Sequence, residues 1–143
     1  MEPIMNKKRE VATLLPYRWR GNVLELFIQK RCPDVTSAPN KLGLFGGGLE
    51  EGEGLLEALR REIQEELEYV PKAPRYFSRY EHATHINNVF IEEVGSDFEN
   101  IVHVHEGEYG KFMTFDEFRS SDDAMSTTMG MIDQASRFIL SQK

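Results

Sequence analysis

Three closely spaced glutamates, Glu62, Glu65 and Glu66, are residues whose type and spacing suggest chemistry. At about 100° per residue in a helix, they share an arc of about 100°. Like charges one turn apart repel each other by about 0.2–0.5 kcal/mol per pair. A hard divalent cation would relieve this repulsion, because Mg²⁺ takes oxygen ligands and bridges carboxylates to phosphates. The spacing indicates a candidate metal site, and a solvated acidic helix face is the alternative.

The helix that must position these carboxylates is predicted for residues 53–69. Its apolar side chains recur at spacings of three and four and form one stripe. The stripe consists of Leu56, Leu59, Ile63, Leu67 and Val70. The three glutamates lie directly beside this stripe, which faces the core, and not opposite to it. Pro71 and Pro74 follow and end the helix.

Strands outnumber helices in the rest of the chain. We predict strands at 10–15, 23–29, 76–81 and 88–94, an extended segment at 41–45 and a strand near 111–115. The first two strands are joined by a predicted turn at 16–22, residues 32–40 form a loop, and a C-terminal helix begins near Thr127. The mixed order predicts an α+β sheet covered by helices, in a single domain of residues 1–143.

The net charge of −7 and the one cysteine limit the possible functions. General nucleic-acid binding is not expected, because such proteins carry basic faces. Cys32 alone excludes an internal disulfide, so a reduced, cytoplasmic setting is the default expectation. No apolar run approaches the ~20 residues of a membrane span, and the basic start of the chain lacks the apolar stretch of a signal peptide.

The glycines before the predicted helix complete a longer pattern. Gly47, five residues, Glu53, seven residues and then Arg-Glu-Ile-Gln-Glu-Glu-Leu-Glu-Tyr at 61–69 resemble the Nudix box, GX5EX7REUXEEXGU, where U is a bulky apolar residue. The exception is Glu68, where the family has glycine. That glycine stands at a helix end that often needs a left-handed backbone, so Glu68 would cost about 1 kcal/mol there.

The resemblance implies a pyrophosphohydrolase on a Nudix-type α/β/α sandwich with a mixed β-sheet, in which the box forms a loop-helix-loop. The motif positions of Glu62, Glu65 and Glu66 imply that these residues bind Mg²⁺, with Mn²⁺ as an alternative. Gly46 would add a backbone carbonyl as a ligand. Glu53 and Arg61 match positions that pair in the family and hold the loop against the helix.

Further site residues are expected outside the carboxylate group. The segment 105–115 resembles the region that often carries an additional catalytic glutamate in the family, which makes Glu106 the first candidate and Glu108 the second. The candidate substrate contacts are Gly47 and Gly48, which let the backbone approach a phosphate, Arg31, which could reach a phosphate, and Phe45, which could stack on a base. The four histidines, His82, His85, His103 and His105, are expected to be strand-surface residues, since no third zinc ligand has fitting spacing.

The expected reaction is hydrolysis of a diphosphate bond in a nucleoside diphosphate linked to another moiety. Glu65 or Glu106 would take the proton of the attacking water. A nucleoside triphosphate, including oxidised forms, is the favoured substrate, while nucleotide sugars, dinucleoside polyphosphates and RNA 5′ ends stay open. The alternative of another class is a non-catalytic nucleotide sensor with the same fold. The expected partner is the small-molecule nucleotide, no membrane is expected, and a homodimer stays open.

Overall fold

The computed structural model describes residues 8–36 and 38–143. The first seven residues, which include most of the predicted basic start, and Ser37 in the predicted 32–40 loop lie outside the described residues. The strands are β1 (Arg9–Arg20), β2 (Val23–Lys30), β3 (Leu42–Gly43), β4 (Phe45–Gly48), β5 (Arg75–Glu81), β6 (His85–Glu93) and β7 (Tyr109–Met113). The helices are α1 (Leu55–Leu67), α2 (Phe98–Ile101), α3 (Phe115–Arg119) and α4 (Ser126–Ser141).

Strand β1 is the centre of a mixed sheet. It pairs in parallel with β6 along one edge, and antiparallel with β4 and then β2 along the other. The strand order is β3-β2-β1-β6-β5, and β7 also pairs with β2. The predicted α+β fold with a mixed sheet is confirmed.

Alternate side chains of β1 pack into two separate cores, because successive residues of a strand point to opposite faces. Ala12 and Leu14 belong to the core under α1, and Leu15 and Tyr17 belong to the core under α4. The helices therefore cover both faces of the sheet, which confirms the α/β/α sandwich. No described helix has the length and apolar character needed to cross a membrane.

The predicted turn at 16–22 is wrong, because β1 continues to Arg20 and only Gly21 and Asn22 form the turn. Pro16 is accommodated where β1 changes its antiparallel partner. The pairing with β4 ends at Leu14, and the pairing with β2 begins at Tyr17. Proline cannot donate a backbone hydrogen bond, and its position between two ladders makes that loss tolerable.

Helix α1 is rotated on the sheet relative to the predicted stripe. Leu56 and Val70 are exposed, whereas Ala58 is fully buried together with Leu59. Val70 leaves the stripe because the helix ends at Leu67. On a helical wheel the buried arc is centred about 50° from the predicted one, in the direction of Glu66. The rotation therefore brings one of the three glutamates into the protein.

Candidate active site

Glu66 is the buried member of the predicted carboxylate group, with 4% of its surface exposed. Its Oε1 accepts a hydrogen bond from the backbone N–H of Gly46 at 3.1 Å, and its Oε2 has no hydrogen-bond partner among the described residues. Burial, the side chain of Glu62 and the charge of Glu106 raise the pKa of Glu66 far above its usual range. A buried carboxylate oxygen without a partner is destabilising unless a proton or a cation satisfies it.

The β4 glycines allow two charged side chains to approach the backbone. A Cβ at Gly47 would lie 2.5 Å from the carboxylate of Glu62, on the α1 face of β4. A Cβ at Gly48 would lie 2.4 Å from the guanidinium of Arg9. Any side chain at either position would have to displace a charged group. The Glu62 carboxylate and the Arg9 guanidinium therefore lie against neighbouring residues of the same strand, β4.

Glu106 reaches this site on a loop of residues 103–108, which we call the Glu106 loop. The N–H groups of His103 and His105 donate to the carbonyls of Leu67 and Glu66 at 2.9 and 2.7 Å. These carbonyls lie in the last turn of α1, where no partner within the helix exists. On the other side, Gln29 donates its Nε2–H to the carbonyl of Glu106 at 3.1 Å. The loop thereby caps the helix and holds Glu106 near Glu66.

Glu65 differs from its two neighbours in the predicted triad. Its side chain is 60% exposed, and its Oε1 lies 3.6 Å from Nη1 of Arg61. The structure thus brings Glu62, Glu66 and Glu106 together and turns Glu65 towards solvent. Within residues 8–36 and 38–143, no three His, Cys, Asp or Glu side chains already converge at metal-binding distances. The role of Glu65 as a metal ligand stays a prediction.

The predicted pairing of Glu53 with Arg61 is present and bidentate. Arg61 donates through Nε and Nη2 to the two carboxylate oxygens of Glu53 at 2.8 and 2.9 Å. Hydrogen bonds from Arg61 and from the backbone of Glu50 lower the pKa of Glu53 to about 2. Arg61 also donates to the carbonyl of Gly48 at 3.1 Å and to Oε1 of Glu62 at 2.9 Å. One guanidinium therefore fixes the loop before α1 to the glycine strand and to the carboxylate group.

A cavity of about 550 Å³ opens on the α4 face of the sheet, and its wall includes Arg9, Thr13, Arg31, His85, Asn87 and Thr128. A second cavity of about 450 Å³ shares Arg31, His85, Asn87 and Thr128 with it. No Asp or Glu lines either cavity in the described part of the chain. In a protein with a net charge of −7, this local arrangement favours an anionic or strongly hydrogen-bonding ligand.

Phe45 is not available for stacking on a base. It is fully buried, and its ring stacks on Phe27 at a centroid distance of 5.9 Å in the core under α1. The expectation of a substrate contact by Phe45 is therefore wrong. A large apolar ring at the start of β4 gains more by burial than it would by facing a polar cavity. Its packing anchors the strand that carries Gly46, Gly47 and Gly48.

Arg9, Thr13 and Asn87 are site residues beyond those that the sequence predicts. Their signal in the sequence is weak but real. Asn87 is a polar residue on a largely buried strand, and its Oδ1 accepts a hydrogen bond from Thr13 at 2.7 Å. Arg9, two positions before Val11 and four before Thr13, shares their face of β1. Arg31, which the sequence does predict, lies in the wall of both cavities.

Glu68 adopts the left-handed conformation that its motif position predicts, with φ 53° and ψ 40°. A non-glycine residue there costs about 1 kcal/mol. Its carboxylate Oε2 lies 2.7 Å from Nε2 of His105. His103 and His105, expected on strand surfaces, instead belong to the Glu106 loop. His82 lies just after β5, and His85 is the first residue of β6.

Comparison with known proteins identifies the family of this arrangement. The model of the NUDIX domain matches residues 7–130. No curated protein matches the chain.

Solved structures share the fold at low sequence identity. A MutT protein from Methanosarcina mazei Go1 superposes with a TM-score of 0.71 at 19% identity, covering 93% of this chain and 96% of that one. The NUDIX domain of Shewanella oneidensis NrtR, complexed with ADP ribose, gives 0.77 at 13% identity, covering 94% and 90%. The Ap4A hydrolase of C. elegans gives 0.67 at 17% identity, covering 93% and 99%. At these identities the likeness concerns the fold alone.

Proposed function

The chain belongs to the Nudix family, and from this premise we propose that this pyrophosphohydrolase cleaves a diphosphate bond of a nucleoside triphosphate, oxidised forms included, with Mg²⁺ as its cation. The observation that carries the proposal is the state of Glu66. Its carboxylate is buried, has an oxygen without a partner among the described residues, and faces Glu62 and Glu106. Such a group favours a positively charged ligand.

The residues around Glu66 fit a hard divalent cation, the class of cofactor that the family generally uses. The available donors are the carboxylates of Glu62 and Glu66 with the backbone carbonyl of Gly46, and Glu65 would join them by turning its exposed side chain away from Arg61. All of them are oxygens, as Mg²⁺ prefers. When bound, the cation neutralises charge on the phosphoryl oxygens and lowers the pKa of the attacking water. The missing side chain at Gly47 lets the Glu62 carboxylate lie directly against β4, 2.5 Å from where a Cβ would stand.

We assign Glu106 as the general base. A water molecule attacks one phosphorus, the bond from that phosphorus to the bridging oxygen breaks, and the proton of the water passes to the Glu106 carboxylate. The products are two phosphate-bearing fragments. The position of Glu106 near Glu66, together with its exposure to solvent, supports this role. Glu65, which contacts Arg61 and points to solvent, is the alternative base.

The cavity on the α4 face is the proposed site of the nucleoside. Its volume of about 550 Å³ lies within the range of small-molecule sites. Arg31 and Asn87 offer hydrogen-bond donors there, and the lining of Thr13 and Thr128 can donate or accept. Arg9 lies against Gly48 and also lines the cavity, so it stands between the carboxylates and the nucleoside site and is suited to contact the phosphates. We place the activity in the reducing cytoplasm, in keeping with the free thiol of Cys32.

The test separates and quantifies the phosphate-bearing products by anion-exchange chromatography over a substrate panel, with Mg²⁺ and with a chelator. The panel contains ordinary and oxidised nucleoside triphosphates, ADP ribose as a nucleotide sugar, Ap4A as a dinucleoside polyphosphate, and 5′-triphosphorylated RNA. We expect Mg²⁺-dependent turnover, highest on a triphosphate. Turnover highest on another substrate would overturn the assignment of the triphosphate, and nucleotide binding without turnover would favour the sensor alternative.

A further inference from the structure

Glu68 ends α1 in a backbone conformation that glycine adopts without strain, and the family motif has glycine there. The Glu68 side chain makes a contact that glycine cannot make. Its contact is the 2.7 Å hydrogen bond between Oε2 and Nε2 of His105. Both side chains are about half exposed, at 50% and 55%. A pair this exposed contributes little to global stability, so its effect is local.

The local effect falls on the Glu106 loop. His103 and His105 already connect the loop to the end of α1 through their backbone N–H groups. The Glu68 side chain adds a third connection from the same helix end, and this connection holds the ring of His105 itself. The next residue is Glu106. A restraint on His105 is thus one residue away from the proposed base.

This restraint acts on a loop that is largely exposed to solvent. His103, His105 and Glu106 all have exposed side chains. An exposed loop opens locally more easily than a packed element, so each bond that holds it counts. Gln29 holds the carbonyl of Glu106 at 3.1 Å, but this bond comes from β2 and not from the helix. A side-chain bond from the helix end would keep the loop against α1.

We propose that Glu68 and His105 form a latch that holds Glu106 beside the carboxylates of α1, so that both are positioning residues for the reaction. The latch rests on the proposed function, because it acts through the proposed base. It also assigns a use to the position at which this chain departs from the family motif.

The first test replaces Glu68 with the motif glycine. We expect Glu68→Gly to lower kcat about tenfold, since a displacement of about 1 Å in a catalytic group can cost up to about 100-fold. KM should stay within about twofold, because the latch holds a base and not the substrate. Glu68→Gln keeps an acceptor oxygen and should restore most of kcat. A Gln variant as slow as the Gly variant would overturn the hydrogen-bonded latch.

The second test asks whether the effect passes through the two partners. His105→Ala should match Glu68→Gly, and the double variant should be no slower than either, because both remove the same bond. His103→Ala is the matched control, since it removes an imidazole from the same loop without removing a hydrogen bond to Glu68. In a Glu106→Gln background, Glu68→Gly should change kcat by less than about twofold. A further tenfold loss in that background would show that Glu68 acts elsewhere, and would overturn the proposal.

A third measurement does not depend on catalysis. Amide hydrogen exchange at His105, whose N–H donates to Glu66, should become about tenfold faster in Glu68→Gly. Exchange at Glu108, whose N–H donates to Lys30 from the other side of the loop, should change less than about twofold. Unchanged exchange at His105 would overturn the latch even if the enzyme is active. Absence of turnover on every substrate would instead overturn the proposed function, while the exchange rates still decide whether the latch exists.

Discussion

Two glutamates of this protein are buried to nearly the same degree and are treated in opposite ways. Glu25 on β2 is 7% exposed and Glu66 on α1 is 4% exposed. Arg18 and Arg20 each donate to one carboxylate oxygen of Glu25, at 2.9 and 3.1 Å. Glu66 has one backbone donor at one oxygen and no partner at the other among the described residues.

The difference shows that the neighbouring charges, and not the depth of burial, decide the state of a buried carboxyl group here. Burial raises the pKa of both groups, but the arginine hydrogen bonds bring the pKa of Glu25 below its usual value. Around Glu66, two further carboxylates reinforce the effect of burial. The Glu25 carboxylate has arginine partners at both oxygens and stabilises the fold. The Glu66 carboxyl gains a partner at its second oxygen only when a ligand binds.

The largest expected effect separates the two glutamates by activity. Glu66→Gln should lower turnover by about 10²–10³-fold, because the cation loses a buried ligand worth several kcal/mol of transition-state stabilisation. Glu25→Gln, the matched control on the other region, should keep activity per folded molecule within a few-fold. Steady-state kinetics measure both variants. Near-normal turnover of Glu66→Gln would refute the role of this residue.

Stability should show the reverse order. Glu25→Gln leaves Arg18 and Arg20 without their anionic acceptor and should lower the free energy of unfolding by about 1–3 kcal/mol. Glu66→Gln, measured without divalent cations, should be as stable as the natural chain or more stable, because the natural chain must protonate this carboxyl on folding and glutamine is neutral in both states. Urea unfolding followed by circular dichroism gives both values. Equal destabilisation by the two substitutions would contradict the proposed difference between Glu25 and Glu66.

Cation binding should also distinguish the two regions. At ten times its dissociation constant, Mg²⁺ stabilises the folded state by about 1.4 kcal/mol. For a chain of this size, that corresponds to a rise of roughly 4 °C in the melting temperature. We expect this rise for the natural chain and for Glu25→Gln, and a much smaller one for Glu66→Gln. The same rise in all three proteins would place the cation elsewhere.

The smallest expected effect is the acid limb of stability. The folded pKa of Glu25 lies below the unfolded value of 4.5, so its contribution is complete above about pH 4.5 and is lost as the pH falls below it. Glu25→Gln should therefore flatten the dependence of unfolding free energy on pH below about 4.5. Glu66→Gln should change the slope mainly above that pH, because Glu66 stays protonated in the folded state while the same carboxyl ionises near pH 4.5 in the unfolded chain. An unchanged slope in Glu25→Gln would contradict the assignment.

The Nudix box could be predicted from the sequence because its geometry is local. Helical periodicity fixes Glu62 and Glu66 one turn apart. Glu53 and Arg61 are only eight positions apart, Glu53 just before α1 and Arg61 within it, so they can meet without any long-range packing. The left-handed conformation of Glu68 is likewise a property of a helix end. Most strands followed from runs of apolar residues, and the exceptions were β4, whose three glycines carry no strand signal, and β1, where a proline suggested a turn. Whether β1 can contain this proline depends on which strands pair with β1 on either side of it.

The tertiary structure alone decided which carboxylate is buried and what surrounds it. Glu65 and Glu66 are neighbours separated by about 100° on the helix, so the rotation of α1 on the sheet determines which one enters the protein. That rotation is set by the packing of Ala58, Leu59 and Ile63 against β-strands distant in the chain. Glu106 and the walls of the cavity come from other segments, and their approach depends on long-range packing that local patterns do not encode. Local spacing thus determined the chemical groups, and packing determined which of them form the site.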